Sequence, residues 1–303
     1  MAQQSNNELS ILIPVYNHVC VELVNLLHQQ AVAADIVFEI IVADDGSTSK
    51  ACIDANSTIS RYSNCRFIPC SENVGRAAIR NFLAREARYA YLLYIDCDMS
   101  VVSPSFLQRY IGCLPASVVD GGVSIFACQP EQERLLRYRY EKAEEPHHTA
   151  HERQKTPYLH LHTANLLIRR DIMLQHPFDE RLRHYGYEDV LLGKTLHRNH
   201  IAITHIDNPL GFCTFEQNAD FVAKTEEGLR TLYEFRSDLR GYSRLLTLVS
   251  GVHIPAIWGL MRLWHRVFGA IERRNLCGSR PYLLVFKLYR LGYYLSLLNN
   301  REG

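Results

Sequence analysis

The chain has 303 residues, 47% of them hydrophobic and 21% charged, the make-up of an ordinary globular protein long enough for one large domain or two small ones. Its 33 Lys and Arg stand against 32 Asp and Glu, so no global field attracts nucleic acid, and an anionic ligand has to be held by local groups. Nine cysteines are scattered without a C-x-x-C pair, which speaks for reduced, buried thiols and against a disulfide framework or a zinc site.

The opening "MAQQSNNELS" lacks the basic-then-apolar start of a secretory signal and predicts a cytoplasmic protein. Beyond it two periods alternate. "LSILIPVYN" (Leu9 to Asn17) and "FEIIVADDGST" (Phe38 to Thr48) are apolar, β-branched runs that stop at turn residues, and the intervening "VCVELVNLLHQQAV" has helical spacing. This β-α-β unit repeats. "CRFIPCS" reads as a third strand, "GRAAIRNFLAREAR" as a helix with a basic face, and "AYLLYIDCDM" as a fourth strand. Such a pattern predicts a mostly parallel sheet with helices on both faces. In sheets of that kind ligands sit at the carboxyl ends of the strands, where "DDGS" and "DCDM" both fall. Two adjacent acids are a costly end for a buried strand unless they meet a partner or a cation.

From Pro130 to Pro157 the chain is charged and His-rich, and it reads as a helix followed by a mobile loop. His147, His148 and His151 are better solvated than metal-bound there, because no acid or cysteine stands at ligand spacing. "LHTANLLIRRDIM" then reads as a strand, "FDERLRHYGYEDVLLGKTLHRNH" as a turn at Gly186 leading into a helix, and "IAITHID" as a further strand. Glu188 and Asp189 open that helix, where acids also suit the positive end of the dipole. The expected division is a catalytic domain over 1-228 and a helical C-terminal extension over 229-303. The extension mixes aromatics with Arg and Lys, and His253, Pro255 and Arg262 interrupt any run long enough to span a bilayer. Its helices are read as packing on the catalytic domain, with peripheral membrane contact or pairing in a homodimer as alternatives.

"SILIPVYN", "EIIVADDGST", "NVGRAAIRN", "YLLYIDCDM" and "FDERLRHYGYEDVLLG", in that order, resemble the blocks of family 2 glycosyltransferases with a GT-A fold. The bacterial chondroitin-polymerase-like and Bacteroidetes-type members are the most similar in pattern. The resemblance implies an inverting transfer of a sugar from a nucleotide-sugar donor, a UDP-sugar or alternatively a dTDP-sugar, to a saccharide or lipid-linked acceptor in surface polysaccharide synthesis. It implies that Tyr16 beside Pro14 stacks on the base, that Asp45 hydrogen-bonds it, and that Arg76 reaches the base or a phosphate. Asp44 would brace the turn. It further implies that Asp98 ligates Mn²⁺ or Mg²⁺ with Asp96 near the ribose or metal, that Asp189 is the general base, and that Glu188 contacts sugar hydroxyls. One position departs from the pattern. Relatives carry a metal-binding histidine some two dozen residues after the "ED" pair, and Phe212 stands in that region, leaving His205 as a substitute ligand or a structural histidine. A sugar-phosphate nucleotidyltransferase is the competing enzyme class, but "IPVYNHVC" has neither the Gly-rich loop nor the lysine it needs. A catalytically degenerate nucleotide-sugar-binding module is the non-enzymatic alternative.

Overall fold

The computed structural model describes residues 8–126, 130–212, 214–252 and 254–299. The leading "MAQQSNN" and His253, on which two of the expectations above rest, lie outside them, as do Cys128 and Cys213. The chain divides into two units, the first made of Met1–Ala127, His147–Arg183 and Leu192–Cys213, the second of Cys128–Pro146, His184–Leu191 and Thr214–Gly303.

The elements in chain order begin with β1 (Glu8–Val15), α1 (Val21–Ala33), β2 (Val37–Asp44), α2 (Lys50–Ser57), β3 (Cys65–Pro69), α3 (Arg76–Glu86) and β4 (Tyr91–Ile95). There follow β5 (Met99–Val101), α4 (Phe106–Ile111), β6 (Val118–Asp120), β7 (Val123–Ile125), α5 (Leu136–Glu144), α6 (Ala150–Gln154), β8 (Asn165–Arg169) and α7 (Arg170–Gln175). The rest are α8 (Glu188–Arg198), β9 (Ile203–His205), β10 (Leu210–Phe212), α9 (Asn218–Glu234), α10 (Arg244–Gly251), α11 (Pro255–Leu276) and α12 (Leu283–Asn299).

The first unit carries a seven-stranded sheet in the order β3-β2-β1-β4-β8-β6-β9. Its pairs are parallel except those that β8 makes with β4 and β6. Both faces are covered, which is why the strands read as continuous apolar runs. Leu9, Ile11, Ile13 and Val15 of β1 join a core with Leu23, Val24 and Leu27 of α1 and Phe106 of α4. Leu12 points the other way, to Ala77, Ile79 and Leu83 of α3 and Met173 of α7.

Two readings need correction. "AYLLYIDCDM" is not one strand: β4 stops at Ile95, the chain turns with the Met99 N–H donating to the Asp96 carbonyl at 3.2 Å, and β5 joins a second sheet, ordered β5-β10-β7. Turning there keeps both carboxylates out of the apolar layer. The stretch up to Pro157 is also not a helix and a loop. After α5 it forms α6, capped by Thr149, whose hydroxyl accepts the Glu152 N–H, and α6 buries Arg153 almost completely.

In the second unit α5, α9 and α12 and the end of α11 share a core of Leu136, Phe221, Val222, Leu276, Phe286 and Tyr289. Asn218 ties it together, accepting the Leu136 N–H at 2.7 Å and donating to the Gly278 carbonyl at 2.6 Å. Among the described residues no helix is long and apolar enough to cross a membrane.

Candidate active site

β1 and β2 run in register from Glu8 opposite Val37 to Val15 opposite Asp44, so they finish side by side. The Asp45 N–H donates to the Val15 carbonyl at 2.8 Å, which sets Asp45 next to the half-exposed ring of Tyr16. Pro14, within β1 opposite Ala43, is half-buried. The Asp45 carboxylate is buried and accepts the Val74 N–H at 2.8 Å and the Gly75 N–H at 3.1 Å. Burial pushes its pKa above the ordinary carboxylate value against the pull of those two amides, with neighbouring Asp44 adding to the rise. Each carboxylate oxygen keeps a second lone pair, so a ligand N–H can still be accepted there.

The loop after β2 is built tightly. Asp44 braces it by accepting the Ser47 N–H at 2.8 Å. Asn17, at φ 49°, accepts the Thr48 and Ser49 N–H groups at 2.9 Å each, and its own N–H donates to the Ser47 hydroxyl. Gly46, at φ +67°, lies against the backbone of Glu72 and Asn73, where a Cβ would stand 2.4 Å from the Glu72 carbonyl carbon. Strand ends and the 72–75 loop are thereby fixed to one another. Arg76 follows Gly75 directly, as the exposed first residue of α3. Sequence reasoning passed over Asn17; its signal is an Asn at the end of an apolar run, a residue that tolerates positive φ and offers an amide oxygen to the turn.

The β4 end lies on the same edge, since Leu12 pairs with Tyr94 and the residue after β4 comes level with Pro14. One turn into α3, Arg80 is buried and donates to Asp96 Oδ1 at 2.6 Å, an ion pair that the sequence did not reveal. Asp98 is exposed at the tip of the turn. Between them burial and the flanking Asp98 and Asp96 carboxylates push the Cys97 thiol well above its ordinary value, so it stays protonated. Phe212 of β10 registers opposite Met99, one residue past Asp98, so the position at which the resemblance led to the expectation of a metal-binding histidine borders this turn. Among the described residues no group of three or more His, Cys, Asp or Glu is disposed to hold a metal. The hard oxygens of Asp96 and Asp98 suit Mg²⁺ or Mn²⁺ where further oxygens come from a ligand.

His205 is held elsewhere in the first unit. Its Nδ1 faces the Arg153 guanidinium at 2.7 Å and its Nε2 lies 3.0 Å from the Pro157 carbonyl, so both ring nitrogens have protein partners and the ring is neutral, donating from Nε2. Burial drives its pKa below the ordinary imidazole value, opposed by Asp120 and the Pro157 carbonyl. Asp120, wholly buried, receives Arg153 at 2.9 Å and the His162 N–H at 2.7 Å. Although burial alone would raise it, His162 and Arg153 hold this carboxyl below its usual range.

Glu188 and Asp189 belong to the second unit. Gly186 at φ 98° and Tyr187 at φ 71° form two consecutive left-handed residues immediately before α8. A tyrosine there is strained by about 1 kcal/mol or more, and the turn is anchored on α9: the Tyr185 N–H donates to Glu227 and the Thr231 hydroxyl to the Tyr185 carbonyl, both at 3.1 Å. Glu188 is buried, and half-buried Asp189 accepts the Val190 N–H at 2.7 Å through Oδ1. Burial pushes the Tyr187 phenol up to about 12.

The profile of the family described as "Glycosyl transferase family 2" matches residues 10–175. The chondroitin synthase of Escherichia coli is 32% identical over 120 residues, which take in 39% of this chain and 16% of that protein, so the match spans under a fifth of the relative's length. Among solved structures, the mannosyltransferase PcManGT from Pyrobaculum calidifontis in complex with GDP-Man and Mn²⁺ superimposes with a TM-score of 0.56 at 11% identity, over 97% of this chain and 87% of its own. S. aureus TarS in complex with UDP-GlcNAc gives a TM-score of 0.50 at 16% identity, over 98% of this chain and 92% of that one.

Proposed function

Because this chain belongs to glycosyl transferase family 2 and has the GT-A fold, it is a glycosyltransferase, and we propose that it is an inverting one that uses a nucleoside-diphosphate sugar. A UDP-sugar is the first donor to test, and the acceptor is a hydroxyl of a saccharide or glycolipid in surface polysaccharide synthesis. The observation that carries this reading is the gathering of Tyr16, Asp45, Arg76 and the Asp96–Asp98 turn around the carboxyl ends of β1, β2 and β4. The E. coli chondroitin synthase and the UDP-GlcNAc complex of TarS support the polysaccharide and UDP parts of it.

On this reading Tyr16 stacks on the base, Pro14 shapes the floor beneath it, Asp45 accepts the imide N–H, and Arg76 offers its guanidinium to a base carbonyl or a phosphate. Mn²⁺ or Mg²⁺ would be held by Asp98, with Asp96 beside it and the donor's phosphates completing the shell, and would stabilise charge on the departing diphosphate. His205 is left outside that shell, since a ligand role would break its bond to Arg153 or to Pro157. Asp189 takes the proton from the acceptor hydroxyl as that oxygen bonds to the anomeric carbon from the face opposite the nucleotide. The carbon–oxygen bond to the diphosphate breaks with its electron pair on the leaving group. Glu188 contacts donor or acceptor hydroxyls.

The test is a panel of nucleotide sugars with Mn²⁺, followed by nucleotide release. A UDP-sugar should be turned over, and Asp189→Asn should lower turnover by about two to four orders of magnitude while leaving donor affinity nearly intact. Near-normal turnover in that variant removes Asp189 from the mechanism.

A further inference from the structure

Helix α11 presents two distinct sides. One side, through His265, Gly269, Glu272 and Leu276, is turned into the second unit, where Gly292 of α12 approaches the His265 ring so closely that a Cβ would stand 2.7 Å from it. The other carries Ile257, Leu260, Leu263, Trp264, Val267 and Ile271, all exposed, with Leu260 at 67% and Ile271 at 64%. At 100° per residue these six cover an arc of about 120°, a continuous stripe and not a scatter of single residues. A stripe of that size on a helix surface marks contact with something apolar.

Charge decides between occupants. From residue 240 to 300 the chain has Arg240, Arg244, Arg262, Arg266, Arg273, Arg274, Arg280, Lys287 and Arg290 against the single acid Glu272. That acid is buried and accepts the Trp264 indole N–H at 2.8 Å, so it puts no negative charge on the surface. Arg266 is exposed on α11 about 60° outside the arc, and exposed Arg274 continues the arc's bearing just past Ile271 at the C-terminal end of the helix. A second copy laid on the same stripe would bring these arginines close to like charges, whereas an anionic lipid surface satisfies the apolar arc together with the arginines at its edge and its end. With its indole N–H already held by Glu272, the exposed ring of Trp264 brings no unpaired donor into the acyl region.

We propose that α11 lies in the plane of an anionic bilayer, with the Ile257–Ile271 stripe among the acyl chains and Arg266 and Arg274 at the headgroups. At 22 residues the helix is about 33 Å long when laid flat. This docking is independent of what the carboxyl edge of the sheet binds.

The test is flotation of the full chain with vesicles of phosphatidylcholine alone and of phosphatidylcholine with 30% phosphatidylglycerol. Binding should be confined largely to the anionic vesicles and should fall as salt is raised. The double variant Leu260→Glu with Val267→Glu should lower the vesicle partition coefficient at least about ten-fold, and Arg266→Glu with Arg274→Glu should reduce the preference for the anionic lipid. Thermal melting and nucleotide-sugar hydrolysis should be unchanged in both variants, since all four side chains are exposed. Equal binding to the two vesicle types, no binding to either, or a dimer by light scattering that the Leu260→Glu, Val267→Glu variant splits would each overturn the proposal.

Discussion

At the scale of single residues the site depends on close backbone approach more than on charge. Gly46 permits the loop after β2 to rest on Glu72 and Asn73, and that rest is what brings the Val74 and Gly75 amides to Asp45. Gly46→Ala would combine a left-handed φ with a clash against main chain, which cannot rotate aside. The expected cost is about 2–4 kcal/mol of stability, read as a lower urea midpoint, together with a loss of UDP affinity by calorimetry. A variant unchanged in both would show that the two loops do not depend on each other. Tyr16 and Asp45 were singled out by the resemblance to family 2 glycosyltransferases, and the structure sets them at the neighbouring ends of β1 and β2. Arg80 was not singled out. An arginine inside an amphipathic helix is usually solvated, and only the fold brings its guanidinium to Asp96, sixteen positions along the chain.

Among the elements, legibility followed the length of the surrounding apolar run more than that of the strand itself, and three-residue β9 was read from "IAITHID". The strands from β1 to β4 announce themselves by apolar runs of five to eight residues, but β5, β7 and β10 are three residues each, "MSV", "VSI" and "LGF", too short to carry a period. For the same reason the second sheet could not be foreseen. The segment around α6 was misread because its anchor is the contact of Arg153 with Asp120, thirty-three positions apart, and charge composition alone suggests solvent. That anchor has a pH signature. The folded-state pKa of His205 is depressed by burial, so between about 6.5 and that lower value the unfolded chain holds a proton that the folded chain does not. By linkage, stability then falls as pH drops through this window, with a slope of at most about 1.4 kcal/mol per pH unit from this one group. Urea unfolding at pH 7.0 and 5.5 should show the loss in the parent protein and a smaller one in His205→Gln. An equal loss in both would assign the effect to other histidines.

For the molecule as a whole, the single protein carboxylate proposed for the metal predicts that ion and nucleotide stabilise the fold together. Mn²⁺ alone should move the melting temperature little, UDP alone modestly, and the pair by more than the sum of the two, because each completes the other's binding shell. Strict additivity, or full activity in excess EDTA, would speak against a metal-dependent donor site. The turn at Asp96–Asp98 carries a consequence of a different kind. It is one of three short connections between the sheets, beside those from β6 to β7 and from β9 to β10, and it hands the chain from β4 in the seven-stranded sheet to β5 in the three-stranded one, where Phe212 faces Met99. Three-residue strands open locally at little cost, so their amides should exchange with solvent faster than those of β1 and β2. A ligand that grips Asp98 grips one of the connections into that small sheet, and deuterium uptake at Met99–Val101 and Leu210–Phe212 should slow on adding UDP with Mn²⁺ while β1 and β2 stay as they were. The small sheet would then serve as the molecule's own gauge of whether its donor pocket is filled.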